Sequence, residues 1–485
     1  MGFNFAAAWV PSVREQIKGE MDKLQHDCER QFGDARKATA VTDMPDAGMS
    51  QEAIIDRIRK GAEGSEKLWT NESGNLAGGI YYKDAKHWDF VSEVIRLTVV
   101  SNPLHMKEFQ YIAQMEAEII RWTLNLYKGD AEACGLCASG GTESIVLAML
   151  AYREQAKQQR GITQPNLVMS ETAHPSHDKA GHFFGIEVRK IPITKDFRAD
   201  LNAMRSAIDS NTIVLIASAP EYAFGNYDPI NDIAALAQSY GIGCHCDCCL
   251  GSFVNPFIKP LGFAVPYQFD FTVPGITSIT ADPHKYAQGP KGCSVLMFKT
   301  KALRDYQFFV CADWSGGLYA TTSMAGARPG AMIAGNWAAM AKAGKKGFEK
   351  QAKSILTTQQ NLRNAFKGDP DITVSSHTAS PIFSFTSTTV NVIAMSDLMA
   401  KKFNWTLHKV QNPPSGHLTV TNATENHWQD FVKAIKQCTE MMKADPSLNT
   451  NEDTAMYGMS GLIPDKELLH KFVKLHSAAL LDTLE

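Results

Sequence analysis

Short apolar runs alternate with amphipathic segments through the middle of the chain, from about residue 138 to residue 298. The runs NLVMS, TIVLIASA, IGCHCD, TSITAD and CSVLMF have the length and the apolar content of buried strands. The segments between them, such as SIVLAMLAYRE and INDIAALAQSYG, carry apolar residues at helical spacing. Strands that alternate with helices in this way predict an α/β fold, with a mostly parallel sheet covered by helices on both faces.

The two ends of the chain have different patterns. Near the N-terminus the sequence is polar and helical, with Ile54, Ile55 and Ile58 forming one stripe that is predicted to be buried. Beyond residue 335, a long predicted helix (337–366) leads into β-rich segments and two further helices, which indicates a smaller α+β domain. We therefore expect an N-terminal helical segment at 1–70, a large domain at 71–350 and a small C-terminal domain at 351–485.

Composition and charge narrow the classes of function. The formal charge of the 485 residues is −3, so the chain lacks the excess of positive charge that is typical of nucleic-acid-binding proteins. No apolar run approaches the ~20 residues that a membrane-spanning helix needs, and the opening MGFNFAAAWVPS lacks the features of a signal peptide. The ten cysteines include the adjacent pair Cys248 and Cys249, a poor disulfide combination, so reduced thiols are expected. We predict a soluble cytoplasmic protein that binds no nucleic acid and has no transmembrane segment; a helix lying on a membrane surface is the alternative.

A Gly-Gly-Thr turn precedes the first helix of the α/β region. In ASGGTESI, Gly140 and Gly141 form the turn and Thr142 lies in the first helical turn. Free backbone N–H groups at a helix N-terminus suit a phosphate, and the Thr142 hydroxyl is a further donor. The pattern matches neither a P-loop nor a dinucleotide-binding fingerprint, and an ordinary loop-to-helix turn explains it equally well.

A lysine follows one of the predicted strands. In SITADPHKYAQGPKG the apolar strand ends at Asp282, and Lys285 comes three residues later. Burial at this position is expected to lower the pKa of Lys285, and only a neutral amine condenses with an aldehyde. An exposed loop lysine is the alternative.

The stretch GCHCDCC, residues 243–249, concentrates thiols around one aspartate. In a strand the side chains alternate, with Cys244, Cys246 and Cys248 on one side and His245, Asp247 and Cys249 on the other. This separates the thiols, and CGLC at 134–137 has no second CxxC pair to complete a zinc site, so no metal is predicted. Asp247 instead ends a predicted parallel strand, at the sheet edge where ligands bind.

Together the three motifs resemble those of the fold-type I pyridoxal-phosphate enzymes. The closer similarity is to the sphingosine-1-phosphate lyase family, and it extends from about residue 50 to the C-terminus. The matching stretches are NLAGGIYY, SNPLH, CASGGTESI, AHPSHDKA, YQFDFTVPGITSITADPHKYAQGPKG, YQFFVCADWSGGLYA and AGARPG. Eukaryotic members carry an N-terminal membrane helix that is missing here, so the chain looks like a soluble, bacterial-type member.

The resemblance implies the residues that bind pyridoxal 5'-phosphate. Lys285 would form a Schiff base with the cofactor aldehyde, and Asp247 would pair with the pyridine nitrogen. His174 and Cys249 would lie on opposite faces of the ring. The implied contacts of the cofactor phosphate are Gly141, Thr142 and His284, with Gly316 and Gly317 closing the site from the partner subunit of a homodimer.

The resemblance also implies the substrate contacts. Tyr81, Asn102 and His105 would come from the opposite subunit to meet the polar head and phosphate of the substrate, and Lys291 would add charge beside Lys285. Tyr222 matches a family active-site position, and Arg328 would be buried or near the phosphate. From the residues alone, Tyr81 and Tyr222 are as typical of core aromatics, and Asn102 of a turn.

The activity implied is that of a carbon–carbon lyase. It would cleave the C2–C3 bond of a phosphorylated sphingoid base by a retro-aldol step, releasing a fatty aldehyde and phosphoethanolamine. Lys285, Tyr222 or a phosphate oxygen would take the proton of the C3 hydroxyl. An amino-acid decarboxylase, which shares the histidine, aspartate and His-Lys elements, is the main alternative, and a cofactor-binding protein without catalysis is the other. The implied catalytic residues are Lys285, Asp247, His174, Tyr222 and Lys291.

Overall fold

The computed structural model describes residues 44–63, 78–81, 84–265 and 267–450, with the single positions Gly19 and Lys474. The chain divides into two compact units, one of residues 67–449 and one of residues 1–66 with 450–485. Most of the predicted segment 1–70 lies outside the described residues, and the domain boundaries at 70 and 350 stay a prediction.

Within the unit that contains the N-terminus, helix α1 (Gln51–Glu63) forms where the sequence predicts helix. The prediction that its isoleucines are buried is wrong for the single chain, because Ile54, Ile55 and Ile58 are all exposed. Helical periodicity identifies an apolar stripe, but it does not identify the surface that covers the stripe.

A seven-stranded sheet forms the centre of the other unit. Its strands are β1 (Cys134–Ala138), β2 (Asn166–Ser170), β3 (Glu187–Ile191), β4 (Thr212–Ser218), β5 (Gly243–Asp247), β6 (Ser278–Ala281) and β7 (Ser294–Phe298). Their order in the sheet is β1-β7-β6-β5-β4-β2-β3. The pairs from β3 across to β6 are parallel, whereas β7 runs antiparallel to both β1 and β6. The predicted fold, a mostly parallel sheet covered by helices, is confirmed.

Helices and apolar clusters cover both faces of this sheet. The helices of this region are α2 (Ala85–Thr98), α3 (Gln110–Leu126), α4 (Gly141–Arg160), α5 (Ser176–Phe184), α6 (Leu201–Ala207), α7 (Ile230–Ser239) and α8 (Lys301–Asp305). Cys244, Cys246 and Cys248 belong to one apolar cluster, whereas His245 contacts the Ser278 hydroxyl, at 2.7 Å from Nδ1. The predicted alternation of side chains along β5 is therefore confirmed.

A long helix leads from the large sheet to a smaller one. After the hairpin β8 (Phe309–Cys311) and β9 (Tyr319–Thr321), helix α9 (Gly330–Ala365) is interrupted at Gly344, whose φ of 57° lies in the left-handed region that favours glycine. The strands β10 (Ile372–Val374), β11 (Ile382–Ser387), β12 (His408–Val410) and β13 (Ser415–Thr419) form an antiparallel sheet in the order β10-β11-β13-β12. Helices α10 (Val392–Phe403) and α11 (Trp428–Ala444) complete the predicted α+β region. In the part of the chain that is described, none of the helices has the length and hydropathy to span a membrane.

Candidate active site

Two neighbouring parallel strands bring the aspartate and the lysine to the same edge of the sheet. Asp247 is the last residue of β5 and pairs in register with Thr280 of β6. Lys285 lies in the turn that follows β6. Because the carboxyl ends of parallel strands share one edge, residues separated by a long stretch of sequence meet there.

Lys285 forms an ion pair with a carboxylate that has no role in the sequence-based prediction. Its Nζ lies 2.8 Å from Oδ2 of Asp282, which is 1% exposed. Burial is the largest influence and lowers the pKa of Lys285, but the charge of Asp282 and its hydrogen bond, together with Cys249 and Tyr81, outweigh burial and raise the pKa above its ordinary value. The expectation of a lowered pKa was therefore wrong for this arrangement. The sequence signal was present, since Asp and Lys three positions apart lie close together in a turn.

Asp247 is buried and keeps its charge. Its Oδ1 accepts a hydrogen bond from the backbone N–H of Cys249 at 3.0 Å and from the Thr280 hydroxyl at 3.1 Å. Burial raises the pKa of Asp247, but three nearby imidazoles and the Cys249 N–H lower it to about 2. The carboxylate is therefore ionised at neutral pH.

Two of the three imidazoles next to Asp247 are fully buried. His245, whose role the sequence left undecided, and His177, which the sequence analysis did not select, lie with their ring centroids 5.9 Å apart. Burial lowers the pKa of both, to about 3 for His245, and at low pH the charge of the two rings favours the ionised form of Asp247.

His174 is the third imidazole, and its ring is exposed. Its Nδ1 accepts a hydrogen bond from the Ser176 N–H at 3.2 Å and lies 2.8 Å from the Ser176 hydroxyl. That hydroxyl donates to Oγ1 of Thr142 at 3.0 Å. Ser176 thus links the predicted ring-stacking histidine to the predicted phosphate-binding threonine.

The Gly-Gly-Thr turn packs directly on the ion pair. A Cβ at Gly141 would lie 2.8 Å from Oδ2 of Asp282 and 3.0 Å from Sγ of Cys249, so only glycine fits without a shift of these groups. Among the described residues, no side chain caps helix α4, which begins at Gly141. Its first backbone N–H groups are therefore placed to bind an anion.

A cleft of about 640 Å³ opens beside this turn. The predicted site residues that line it are Gly141, Thr142, His284 and Lys291. The Nδ1–H of His284 donates to the Cys293 carbonyl at 2.5 Å, which leaves Nε2 at 3.6 Å from the Asp282 carboxylate. The cleft therefore combines an uncapped helix end, a histidine and a lysine.

Tyr81 lies beside the proposed active-site lysines of its own chain. The Nζ of Lys291 is 5.2 Å from the centroid of the Tyr81 ring, and that ring meets Tyr286 edge-on at 5.0 Å. The sequence-based expectation was that Tyr81 reaches the site from the opposite subunit, whereas here it lies near Lys291 of its own chain. The physical reason is that the described segment 78–81 packs against the loop that carries Lys285.

Tyr222 lies against two histidines of the small sheet. Its ring centroid is 4.6 Å from that of His417 and 6.0 Å from that of His408. The two histidines are cross-strand partners in β12 and β13. A Cβ at Gly78 would lie 3.1 Å from Nε2 of His408, so the small sheet also contacts the segment that leads to Tyr81. The sequence analysis missed both histidines, because their pairing depends on a register it did not predict.

Asn102, His105 and Arg328 are not among the described residues that line the cleft. Oδ1 of Asn102 accepts hydrogen bonds from the backbone N–H groups of Leu104 at 3.1 Å and Arg328 at 3.2 Å, and His105 is exposed in the following turn. The guanidinium of Arg328 is half-buried and donates to both carboxylate oxygens of Glu116, at 2.6 and 2.9 Å. Arg328 therefore forms a structural ion pair with Glu116, and it is not among the described residues that line the cleft.

The predicted glycines Gly316 and Gly317 lie in the exposed turn between β8 and β9. Gly317 has a φ of 104°, which favours glycine. Neither glycine is among the described residues that line the cleft.

The donor set fits a phosphorylated pyridine aldehyde. An ionised aspartate suits a protonated ring nitrogen, a lysine suits an aldehyde, and an uncapped helix end whose glycine admits no Cβ suits a phosphate. Residues 89–388 match the family model described as the pyridoxal-dependent decarboxylase conserved domain. Fold and site together define a pyridoxal-phosphate-dependent enzyme.

Close relatives narrow this class. Sphingosine-1-phosphate lyase of Oryza sativa is 34% identical over 96% of this chain and 86% of its own length. The Drosophila melanogaster enzyme of the same name is 34% identical over 98% of this chain and 87% of its own length. The structure of a Burkholderia pseudomallei sphingosine-1-phosphate lyase superposes with a TM-score of 0.81, at 33% identity over 88% of this chain and 98% of that one. The chain belongs to the sphingosine-1-phosphate lyase family.

Proposed function

We propose that this enzyme cleaves the C2–C3 bond of a phosphorylated sphingoid base and releases a fatty aldehyde and phosphoethanolamine. The observation that carries the proposal is the position of Lys291, a second lysine beside Lys285, with its amine over the ring of Tyr81. A site for a phosphorylated amine needs a cation besides the lysine that holds the cofactor. Near full-length relatives that bear the lyase name support the same reaction.

The geometry of the site supports an assignment of the cofactor-binding groups. When bound, pyridoxal phosphate supplies an electron-withdrawing ring that accepts the electron pair left on C2 as the C2–C3 bond breaks. Asp247, whose pKa of about 2 keeps it ionised at neutral pH, would hold a proton on the ring nitrogen. We assign the two ring faces to His174 and Cys249, and the phosphate to Gly141, Thr142 and His284.

Lys285 and Asp282 act as a pair. An ammonium group cannot attack an aldehyde, so Lys285 must lose a proton before it binds the cofactor. The Asp282 carboxylate at 2.8 Å stabilises the ammonium form and so opposes this loss. Asp282 therefore sets the charge of Lys285, and Gly141 keeps both groups close to the phosphate end of the site.

Substrate binding is assigned to a separate set of groups. Lys291 supplies the positive charge for the substrate phosphate, and burial together with the charge of Lys285 lowers its pKa. Tyr81 packs beside that amine. Asn102 and His105, which are not among the described residues that line the cleft, are assigned to the site of a partner subunit.

Besides a phosphate oxygen, two side chains can take the proton of the C3 hydroxyl. Lys285 is one, once its amine is released from the cofactor. Tyr222 is the other, because its ring is exposed and held against the imidazole of His417. A single substitution separates the two.

We propose that two copies of the chain form a homodimer with shared active sites. The β8–β9 hairpin exposes large apolar side chains, including Val310 at 67% and Leu318 at 87% exposure. Apolar surface of this kind marks a protein interface. In the dimer, Gly316 and Gly317 at the tip of this hairpin would close the phosphate end of the partner's site.

A cytoplasmic location is part of the same proposal. The buried sulfur atoms of Cys246 and Cys248 lie 3.6 Å apart and are not bonded. Neighbouring free thiols are typical of proteins in a reducing compartment.

Substitution of the lysine tests the proposal. The Lys285→Ala enzyme should show neither the absorbance band of a protonated imine nor release of aldehyde from a phosphorylated sphingoid base. Borohydride should remove the band in the wild-type enzyme and fix the cofactor to Lys285. Normal turnover by Lys285→Ala would overturn the assignment.

A further inference from the structure

A second cleft, of about 600 Å³, is lined largely by side chains of helix α9. It shares none of its described lining residues with the cleft beside Gly141. Nothing in the proposed reaction uses it.

The second cleft is positively charged. Lys342, Lys350 and Lys353 line it, and among the described lining residues Glu425 is the only carboxylate. The chain as a whole has a formal charge of −3, so this local excess of positive charge runs against the average. A cleft of one sign raises the local concentration of ions of the opposite sign.

The same cleft contains polar side-chain atoms that lack a hydrogen-bond partner. Gln351 is 6% exposed, and its Nε2 atom is buried without a partner among the described residues. The Oγ of Ser354 and the Oδ1 of Asn422 are also buried without a described partner. All three residues line the cleft. Buried polar atoms are normally satisfied, so three unsatisfied atoms around one cavity indicate a missing polar ligand.

We propose that this cleft binds a small phosphate-bearing anion. The three lysines neutralise its charge, and the Gln351 amide and Ser354 hydroxyl donate hydrogen bonds to its oxygens. Asn422 offers an acceptor, which suits a protonated phosphate oxygen or an amine on the same ligand. The inference does not depend on the proposed lyase reaction.

The bound anion would contact the loop that carries Lys285 from a second side. His87 and Gln288 also line the cleft, and the His87 Nε2–H donates to the Gln288 carbonyl at 2.8 Å. The Gln288 N–H in turn donates to the Lys285 carbonyl at 3.0 Å. The cleft therefore adjoins the backbone of the cofactor loop without being part of the reaction site.

Calorimetric titration of the holoenzyme with inorganic phosphate tests the proposal. All measurements use the Lys291→Gln background, so that the proposed substrate site does not contribute to the signal. The double variant Lys350→Gln, Lys353→Gln should bind phosphate at least tenfold more weakly. The matched control Lys345→Gln, Lys346→Gln removes the same charge from the same helix outside the described lining, and its affinity should stay within twofold. Equal weakening in both double variants would overturn the proposal, because it would show only general attraction to lysines.

A single substitution separates a built site from a charged surface. Gln351→Leu replaces an unpaired buried amide with an apolar side chain of similar size, so the variant should fold at least as stably. Its phosphate affinity should fall at least fivefold, and wild-type affinity in this variant would also overturn the proposal. Repeating the titration with phosphoethanolamine identifies the source of the phosphate: tighter binding than inorganic phosphate points to an amino-alcohol ester, and equal binding points to free phosphate.

Discussion

The carboxylate of Asp282 lies 2.8 Å from the amine of Lys285. The Lys285 side chain is 23% exposed, whereas that of Asp282 is 1% exposed. The same carboxylate faces the Gly141 turn, where a Cβ would lie 2.8 Å from its Oδ2. Its other oxygen, Oδ1, is buried without a hydrogen-bond partner among the described residues. Asp282 therefore links the lysine to the phosphate turn and controls the charge of the amine.

Replacing Asp282 with Asn should lower the pKa of Lys285, because the charge that raises that pKa disappears while burial, which lowers it, remains. The neutral amine then exists at lower pH, so capture of the cofactor by the apoenzyme should begin at lower pH. We expect the midpoint to move down by at least about one unit, the size of shift that one close opposite charge produces. The measurement is the rate at which the imine absorbance appears, as a function of pH. An unchanged midpoint would show that Asp282 does not set the charge of Lys285.

Replacing Lys291 with Gln should raise KM for a phosphorylated sphingoid base roughly tenfold or more, because one charged hydrogen bond contributes about 1.5–3 kcal/mol. The imine absorbance should not change, since Lys285 is intact. Lys345→Gln, an exposed substitution on α9, serves as the control for loss of charge. If KM stays the same, Lys291 does not bind the substrate phosphate.

Replacing Tyr222 with Phe keeps the ring against His417 and removes only the hydroxyl. If this hydroxyl accepts the C3 proton, kcat should fall roughly 100-fold or more, within the range of general base catalysis. Cofactor absorbance and the melting temperature should stay close to those of the wild type. An unchanged kcat would exclude Tyr222 and leave Lys285 or a phosphate oxygen as the proton acceptor.

Charges on the β8–β9 hairpin should separate the proposed dimer. Val310→Asp with Leu318→Asp places two carboxylates on an apolar surface, which is costly to bury unpaired. Analytical ultracentrifugation should show a monomer with little activity, whereas Tyr240→Asp, at an exposed position outside the hairpin, should remain dimeric. A dimeric hairpin variant would contradict the proposed interface.

The parts of the site that follow from strand periodicity were predictable. The alternation in GCHCDCC assigned Asp247 and the three cysteines to opposite faces of β5, and the structure confirms it. The end of a parallel strand also predicted the position of Asp247 at the edge of the sheet where ligands bind. Both inferences need only the geometry of a single strand and of its neighbour.

Contacts that depend on distant parts of the chain were not predictable. Arg328 pairs with Glu116 across 212 positions, and Tyr222 packs on His417 from a different sheet. Asp282 was visible at the end of its strand, but whether it would meet Lys285 depends on the shape of the turn. The stripe on α1 shows the same limit, because periodicity alone did not reveal that Ile54 is exposed.

Product analysis tests the central claim most directly. Purified holoenzyme is incubated with a phosphorylated sphingoid base, and in parallel with glutamate and tyrosine. Mass spectrometry should detect fatty aldehyde and phosphoethanolamine in equal amounts from the first, with no carbon dioxide from the amino acids. Carbon dioxide from an amino acid, with no aldehyde from the phosphorylated base, would contradict the lyase assignment and favour a decarboxylase.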